Sequence, residues 1–152
     1  MRAGVDGATL PAMTPDEMRE LVRHHIEDGF NRGDWTVCEH TLAGDYTARY
    51  GADGRANVGR DHYVTVCTFL RRSFPDVAIT IEDLVVEGDR IVNRYVERGT
   101  LTGAPFLGIE PAGQAYAKPG TTLYRVADRR LAESWGVEDT LGWFRQLGKY
   151  AD

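Results

Sequence analysis

Only two cysteines occur in 152 residues, with no CxxC spacing and no neighbouring His-rich set. That removes the ligand patterns of a structural zinc site, so no metal is expected, and it removes a disulfide framework. Cys38 and Cys67 each fall within a helical pattern, where a free thiol reads as a small buried hydrophobe. Basic residues are outnumbered, 18 Lys and Arg against 23 Asp and Glu, for a formal charge of −5. Nucleic-acid binding would ask for a basic face instead. Arg71-Arg72, the nearest thing to a basic cluster, reads as the solvated side of a helix. No apolar run nears the roughly 18 residues that span a bilayer. The opening MRAGVDGATLPAM lacks the apolar core of a signal peptide. The expectation is a cytoplasmic protein with no nucleic-acid or membrane partner.

What is there suits one globular domain, residues 14–152, behind a flexible leader at 1–13. The apolar and charged fractions, 42% and 27%, are ordinary. Thr14-Pro15-Asp16-Glu17 opens a helix with a Thr cap, Pro at the first position and Glu in the capping-box place. Met18, Leu21, Val22, His25, Ile26 and Phe30 follow at helical spacing until Gly33. Asp34 caps a second short helix, and Asp45 to Tyr50 reads as a short strand. A third helix runs from Arg60 to Ser73, with Tyr63, Val66, Cys67, Leu70 and Phe74 as its inner stripe and Pro75 at its exit.

After Pro75 the period changes to two. Val77–Ile81 alternates, Arg90 to Leu101 and Tyr116 to Val126 are long strands, and Leu131 to Val137 is the last. A closing helix capped by Asp139 carries Leu141, Phe144 and Leu147. Helices followed by a strand meander predict an α+β fold in which a curved antiparallel sheet wraps around the N-terminal helices. Such a sheet leaves a cone-shaped cavity, an α+β barrel, where small molecules bind. The connection Gly99–Gln114, GTLTGAPFLGIEPAGQ, is far longer than a tight hairpin and carries Phe106 and Leu107. It is expected to fold over something.

These segments together carry a resemblance. FNRGDW (Phe30–Trp35), SFPDVAITIEDLVVEGDRIV (Ser73–Val92), Gly99–Gln114, LYRV (Leu123–Val126) and ESWGVEDTLGWFRQLG (Glu133–Gly148) resemble the SnoaL-like polyketide cyclases of the nuclear transport factor 2-like cone fold. The resemblance implies a cofactor-independent cyclase or isomerase, acting on a polyketide-like or aromatic biosynthetic intermediate, and a homodimer paired through the outer sheet face. It implies aldol chemistry driven by an Asp in a G-x-D-x-x-R setting. Here that setting is Gly120-Thr121-Thr122-Leu123-Tyr124-Arg125, so Thr122 stands in the acid's place. The family's G-T-H-T-G is Gly99-Thr100-Leu101-Thr102-Gly103, so Leu101 replaces a His. In the related limonene-epoxide-hydrolase pattern, Arg94 matches the Arg, while Val96 and Val137 stand at the two Asp positions. The resemblance therefore leaves open aldol or other ring closure, epoxide opening, a non-catalytic binding or dimerisation module, and a flavin-assisted hydroxylase-like relative.

Catalytic candidates are His25, Tyr46, Tyr50, Arg94 and Glu133. His25 is the neutral-pH base on the inner helix stripe, or else a hydrogen-bonded core residue. Tyr46 and Tyr50 share one strand direction, to orient a carbonyl or to pack as wall. If Arg94 points inward to stabilise an anion, Val96 and Arg98 follow it and Asn93, Tyr95 and Glu97 take the other face. Otherwise Arg94 is a surface charge. On the last strand Glu133, Trp135 and Val137 share a face. Glu133 is a base if it lies in an apolar setting. Tyr63, Phe106, Thr122 and Trp135 are the substrate-binding candidates.

Overall fold

The computed structural model describes residues 9–50 and 55–151. Helix α1 (Pro15–Arg23) starts at the expected capping box, in which the Thr14 hydroxyl accepts from Glu17 N at 3.2 Å and Thr14 N donates to the Glu17 carboxylate at 2.8 Å. Such a cap contributes about 1 kcal/mol. The helix then widens into a π-helical segment, His24–Phe30, closed by Asn31 N donating to Ile26 O at 2.8 Å. The wider turn buries two adjacent pairs, His25 with Ile26 and Gly29 with Phe30. Apolar periodicity alone signals a continuous α-helix here. α2 (Cys38–Thr41) is one turn, and α3 (Arg60–Ser73) has the expected bounds. Among the described residues, no helix is long and apolar enough to cross a membrane.

The strands are β1 (Leu42–Tyr50), β2 (Ala56–Val58), β3 (Ala78–Glu87), β4 (Arg90–Leu101), β5 (Gln114–Ala127) and β6 (Arg130–Glu138). They form one curved sheet in the order β2-β1-β6-β5-β4-β3. All neighbours are antiparallel except β1 and β6, which run parallel, so the expected all-antiparallel sheet is corrected at that pair. The fold is α+β, with the helices packed across the concave face. α4 (Thr140–Gln146) closes one end, with Asp139 accepting from Gly142 N at 2.8 Å. Of the expected leader, residues 1–8 lie outside the described residues. Residues 9–13 lack regular structure, and Pro11 O accepts from Arg129 at 3.3 Å.

Which face each strand residue takes decides the site. β4 alternates strictly, burying Ile91, Asn93, Tyr95, Glu97, Gly99 and Leu101. Arg94 therefore points outward, where it pairs with Glu82 and with Asp83. A bulge in β3 between Ile81 and Asp83 brings those two carboxylates to one guanidinium. On the last strand a second bulge, opposite Arg125 and Val126, shifts the phase after Leu131. Ser134 and Gly136 then face the core, while Glu133, Trp135 and Val137 lie outside. Tyr95, which an inward Arg94 would have sent to the outer face with Asn93 and Glu97, is 5% exposed and inside.

The core has two parts. One gathers Val22, Ile26, Leu42, Ile91 and Leu131. The other is mainly aromatic, with Phe30, Phe74, Phe106, Tyr116 and Trp143. The connection Gly99–Gln114 belongs to the second part. Gly103 N and Ala104 N donate to Ser73 O and Arg72 O at 3.0 and 2.9 Å, tying it to the end of α3. Phe106 then sits with ring centroids 5.0 Å from Phe74 and 5.1 Å from Trp143.

Candidate functional site

Between the two halves of the core lies a cavity of about 350 Å³, open at one end. Its wall is mostly apolar, from Ile26, Phe30, Val66, Leu70, Phe106 and Trp143 among others. The long connection contributes Phe106 and Leu107, so it does fold over something. Four of the candidates reach this wall: Tyr50, Tyr63, Phe106 and Thr122.

His25 and Tyr46 are buried but stand behind the wall. His25 Nδ1 lies 3.1 Å from Thr41 Oγ1, and Nε2 lies 3.1 Å from the Tyr63 hydroxyl. The Thr41 hydroxyl already donates to Val37 O at 3.0 Å. It must therefore accept from His25, which assigns the proton to Nδ1 and leaves Nε2 to accept from Tyr63. Burial, and to a lesser degree the nearby His24, lowers the pKa of His25 to about 4. The imidazole is neutral at physiological pH, with its acceptor nitrogen engaged. Tyr46 donates to Ser134 Oγ at 2.7 Å, a core hydrogen bond between β1 and β6. Burial raises the hydroxyl pKa values of Tyr46, Tyr63, Tyr95 and Tyr124. These phenols stay protonated.

Three candidates lie on the outer face. Arg94 is held there by Glu82 and Asp83. Trp135 lies between two guanidinium groups, with Arg49 and Arg90 each 5.5 Å from its ring centroid. Arg125 hydrogen-bonds Glu133 at 3.4 Å and holds its carboxyl below the usual range, helped by Arg49 and Arg90. This reverses the raised pKa expected for an apolar setting. None of the three reaches the cavity.

The cavity contains charged groups the sequence reading passed over. Lys118, 3% exposed, projects inward from β5, directly opposite Glu97 of β4. Its Nζ lies 3.2 Å from Glu97 Oε1 and 2.9 Å from Glu138 Oε2 on β6, and 4.0 Å from the Trp143 ring centroid. Glu97 Oε1 also accepts from the Tyr116 hydroxyl at 2.7 Å. The available signal was opposite charge at facing strand positions, but charges on strands ordinarily read as solvent-facing. Farther along β4, Asn93 is 1% exposed and faces Thr122. Its Oδ1 has no hydrogen-bond partner among the described residues. The site thus offers flat apolar walls, neutral phenols, one carboxamide with an unused acceptor, and a buried ionic cluster.

Comparisons with known proteins agree with this architecture. The profile of the SnoaL-like polyketide cyclase family matches residues 20–147. TsrD from Streptomyces laurentii superposes with a TM-score of 0.80 at 27% identity, over 91% of this chain and 100% of that one. IdmH from Streptomyces antibioticus, provisionally described as a polyketide cyclase, gives 0.76 at 28% identity, over 90% of this chain and 99% of that one. A Catenulispora acidiphila protein with a ketosteroid isomerase-like fold gives 0.68 at 20% identity, over 92% and 98%, a likeness of fold alone. No curated protein matches the sequence.

Proposed function

Because the chain belongs to the SnoaL-like polyketide cyclase family, we propose that it closes or isomerises a ring in a polyketide-like or aromatic biosynthetic intermediate, without a cofactor. The observation that carries this reading is the mostly apolar cavity of about 350 Å³, open at one end, with polar groups set at separate points of its wall. A flexible precursor held in such a space loses the extended conformers that compete with cyclisation. Exclusion of water strengthens each hydrogen bond to a developing charge.

In this reading Tyr50, Tyr63 and Thr122 touch the substrate, and Phe106 forms the roof. Tyr63 spends its proton on His25, so its lone pairs accept from a substrate hydroxyl or enol. His25 is a positioning residue that acts through Tyr63. Tyr46 fixes β1 against β6 beneath the site. The outer sheet face, with Val85 and Val137 exposed, is the surface for a homodimer, checked by sedimentation. Two buried free thiols suit a cytoplasmic setting.

The absence of the family's Asp and His, at Thr122 and Leu101, favours a second reading: a module that binds such a molecule without converting it. Incubation of the purified protein with linear and partly cyclised aromatic polyketides, followed by mass spectrometry, separates the two. The enzyme reading expects a product of equal mass or one water lighter, formed more slowly by Tyr63→Phe. A compound that binds stoichiometrically and is recovered unchanged across the series makes the protein a binding module.

A further inference from the structure

Resting on the cavity reading above, we propose that Glu138 is the proton acceptor of this site and that Lys118 holds the oxyanion it creates. The substrate class is a flat ketone with an activated α-C–H. The observation is one of charge. Glu97, Lys118 and Glu138 reach one end of the cavity from three adjacent strands. Two carboxylates against one ammonium leave one negative charge in excess, beside Trp143 and Phe106. The two carboxylates therefore share a single ammonium against an apolar wall.

The two carboxylates are not equivalent. Glu97 Oε1 accepts from both Tyr116 and Lys118, and its side chain is 7% exposed. It is committed to holding the ammonium. Glu138 accepts from Lys118 alone among the described residues, and its side chain is 23% exposed. It can take a proton and pass it to water. The pairing position opposite Glu138 on β5 is Gly120, over which the Tyr95 ring lies, and Glu138 still reaches Lys118 Nζ at 2.9 Å.

The step balances without a further reactant. The α-C–H bond breaks, the proton goes to the Glu138 carboxylate, and the electron pair moves into the carbonyl to give an enolate. The enolate oxygen accepts a hydrogen bond from Lys118, whose attraction to Glu138 falls as that carboxylate becomes neutral. Return of the proton after ring closure or isomerisation restores the resting cluster. Asn93 lies in the cross-strand row of Thr122 and Gly136, two strands across and two residues along from Glu138.

The test uses 2-tetralone, a flat bicyclic ketone, with binding followed by calorimetry and α-C–H exchange followed by NMR in deuterated buffer. Wild-type protein is expected to accelerate exchange. Glu138→Gln and Lys118→Met should each lower it by about 100-fold or more while tetralone still binds. Tetralone that binds but exchanges equally fast in folded Glu138→Gln overturns the proposal and leaves the cavity reading standing. Failure of wild-type protein to bind tetralone overturns both. If the variants do not fold, the wild-type complex with 2-naphthol decides. A naphtholate spectrum at a pH where the free phenol is neutral supports the transfer, and a neutral bound phenol refutes it.

Discussion

The Tyr95 ring lies directly over the backbone of Gly120. A Cβ added at Gly120 would sit 2.5 Å from both Cζ and the hydroxyl oxygen of Tyr95. The glycine is there for space, because the ring fills the position a side chain would take between β4 and β6. Gly120→Ala must push Tyr95 into the cavity or off its rotamer, at about 1–3 kcal/mol. Chemical denaturation should show that loss. In a Tyr95→Leu background the same substitution should cost clearly less, since the clash is gone. Equal costs in the two backgrounds would place the strain somewhere other than this contact.

The two thiols should be inert in the folded protein. Burial pushes Cys38 up to about 11 and Cys67 up to about 12. At pH 8 only about one thiol in a thousand or fewer is thiolate, and the thiolate is the reactive form. A thiol reagent such as Ellman's should label almost nothing in native buffer and both cysteines in guanidinium. Cys67 also lines the cavity, so a bound ligand should slow its residual labelling further. Native labelling of either cysteine at the rate of a free thiol would contradict this burial.

Arg94→Ala should leave ligand binding in the cavity unchanged. Its guanidinium pairs with Glu82 and Asp83 across the convex face, with the sheet between it and the cavity. Exposed pairs of this kind contribute little to stability. The informative contrast is Lys118→Met, which removes the cation inside. Calorimetry with one flat aromatic ligand against both variants checks the assignment, and weakened binding in Arg94→Ala alone would reverse it.

The elements were legible in the sequence, and the phase of the strands was not. The Thr14 cap, the α3 bounds and the Asp139 cap follow from local chemistry, and local chemistry sets them. Faces are set by neighbours. β4 carries Asn93 and Glu97 inside and Val92 and Val96 on the other face, so polarity gives the wrong phase for its middle. Lys118 and Tyr116 hold Glu97 inside, and Asn93 faces the polar Thr122 across the strands. On β6 the first inward residue, Leu131, is apolar as expected, but the bulge that follows reverses Glu133 and Trp135. A bulge adds one residue and leaves no compositional mark. The π-helical segment hides for the same reason, and it sets His25 behind Tyr63.

His25 makes the stability of this protein dependent on pH in a defined window. Its folded pKa, about 4, lies below the ordinary value of 6.5, so between those limits the unfolded chain binds the proton more readily. The stabilisation from the neutral buried imidazole is therefore complete above pH 6.5. It is lost progressively as pH falls toward 4, by about 3 kcal/mol in all. Urea titrations at intervals from pH 7.5 to 4.5 should show this decline beyond that of a His25→Gln variant. The variant should be less stable at pH 7, because the amide does not fill the buried space of the imidazole ring between Thr41 and Tyr63. Its curve should fall less steeply with acid, because the titrating group is gone. Parallel curves for the two proteins would mean that His25 is charged in the folded state, and the proton assignment to Nδ1 alone would fail with it.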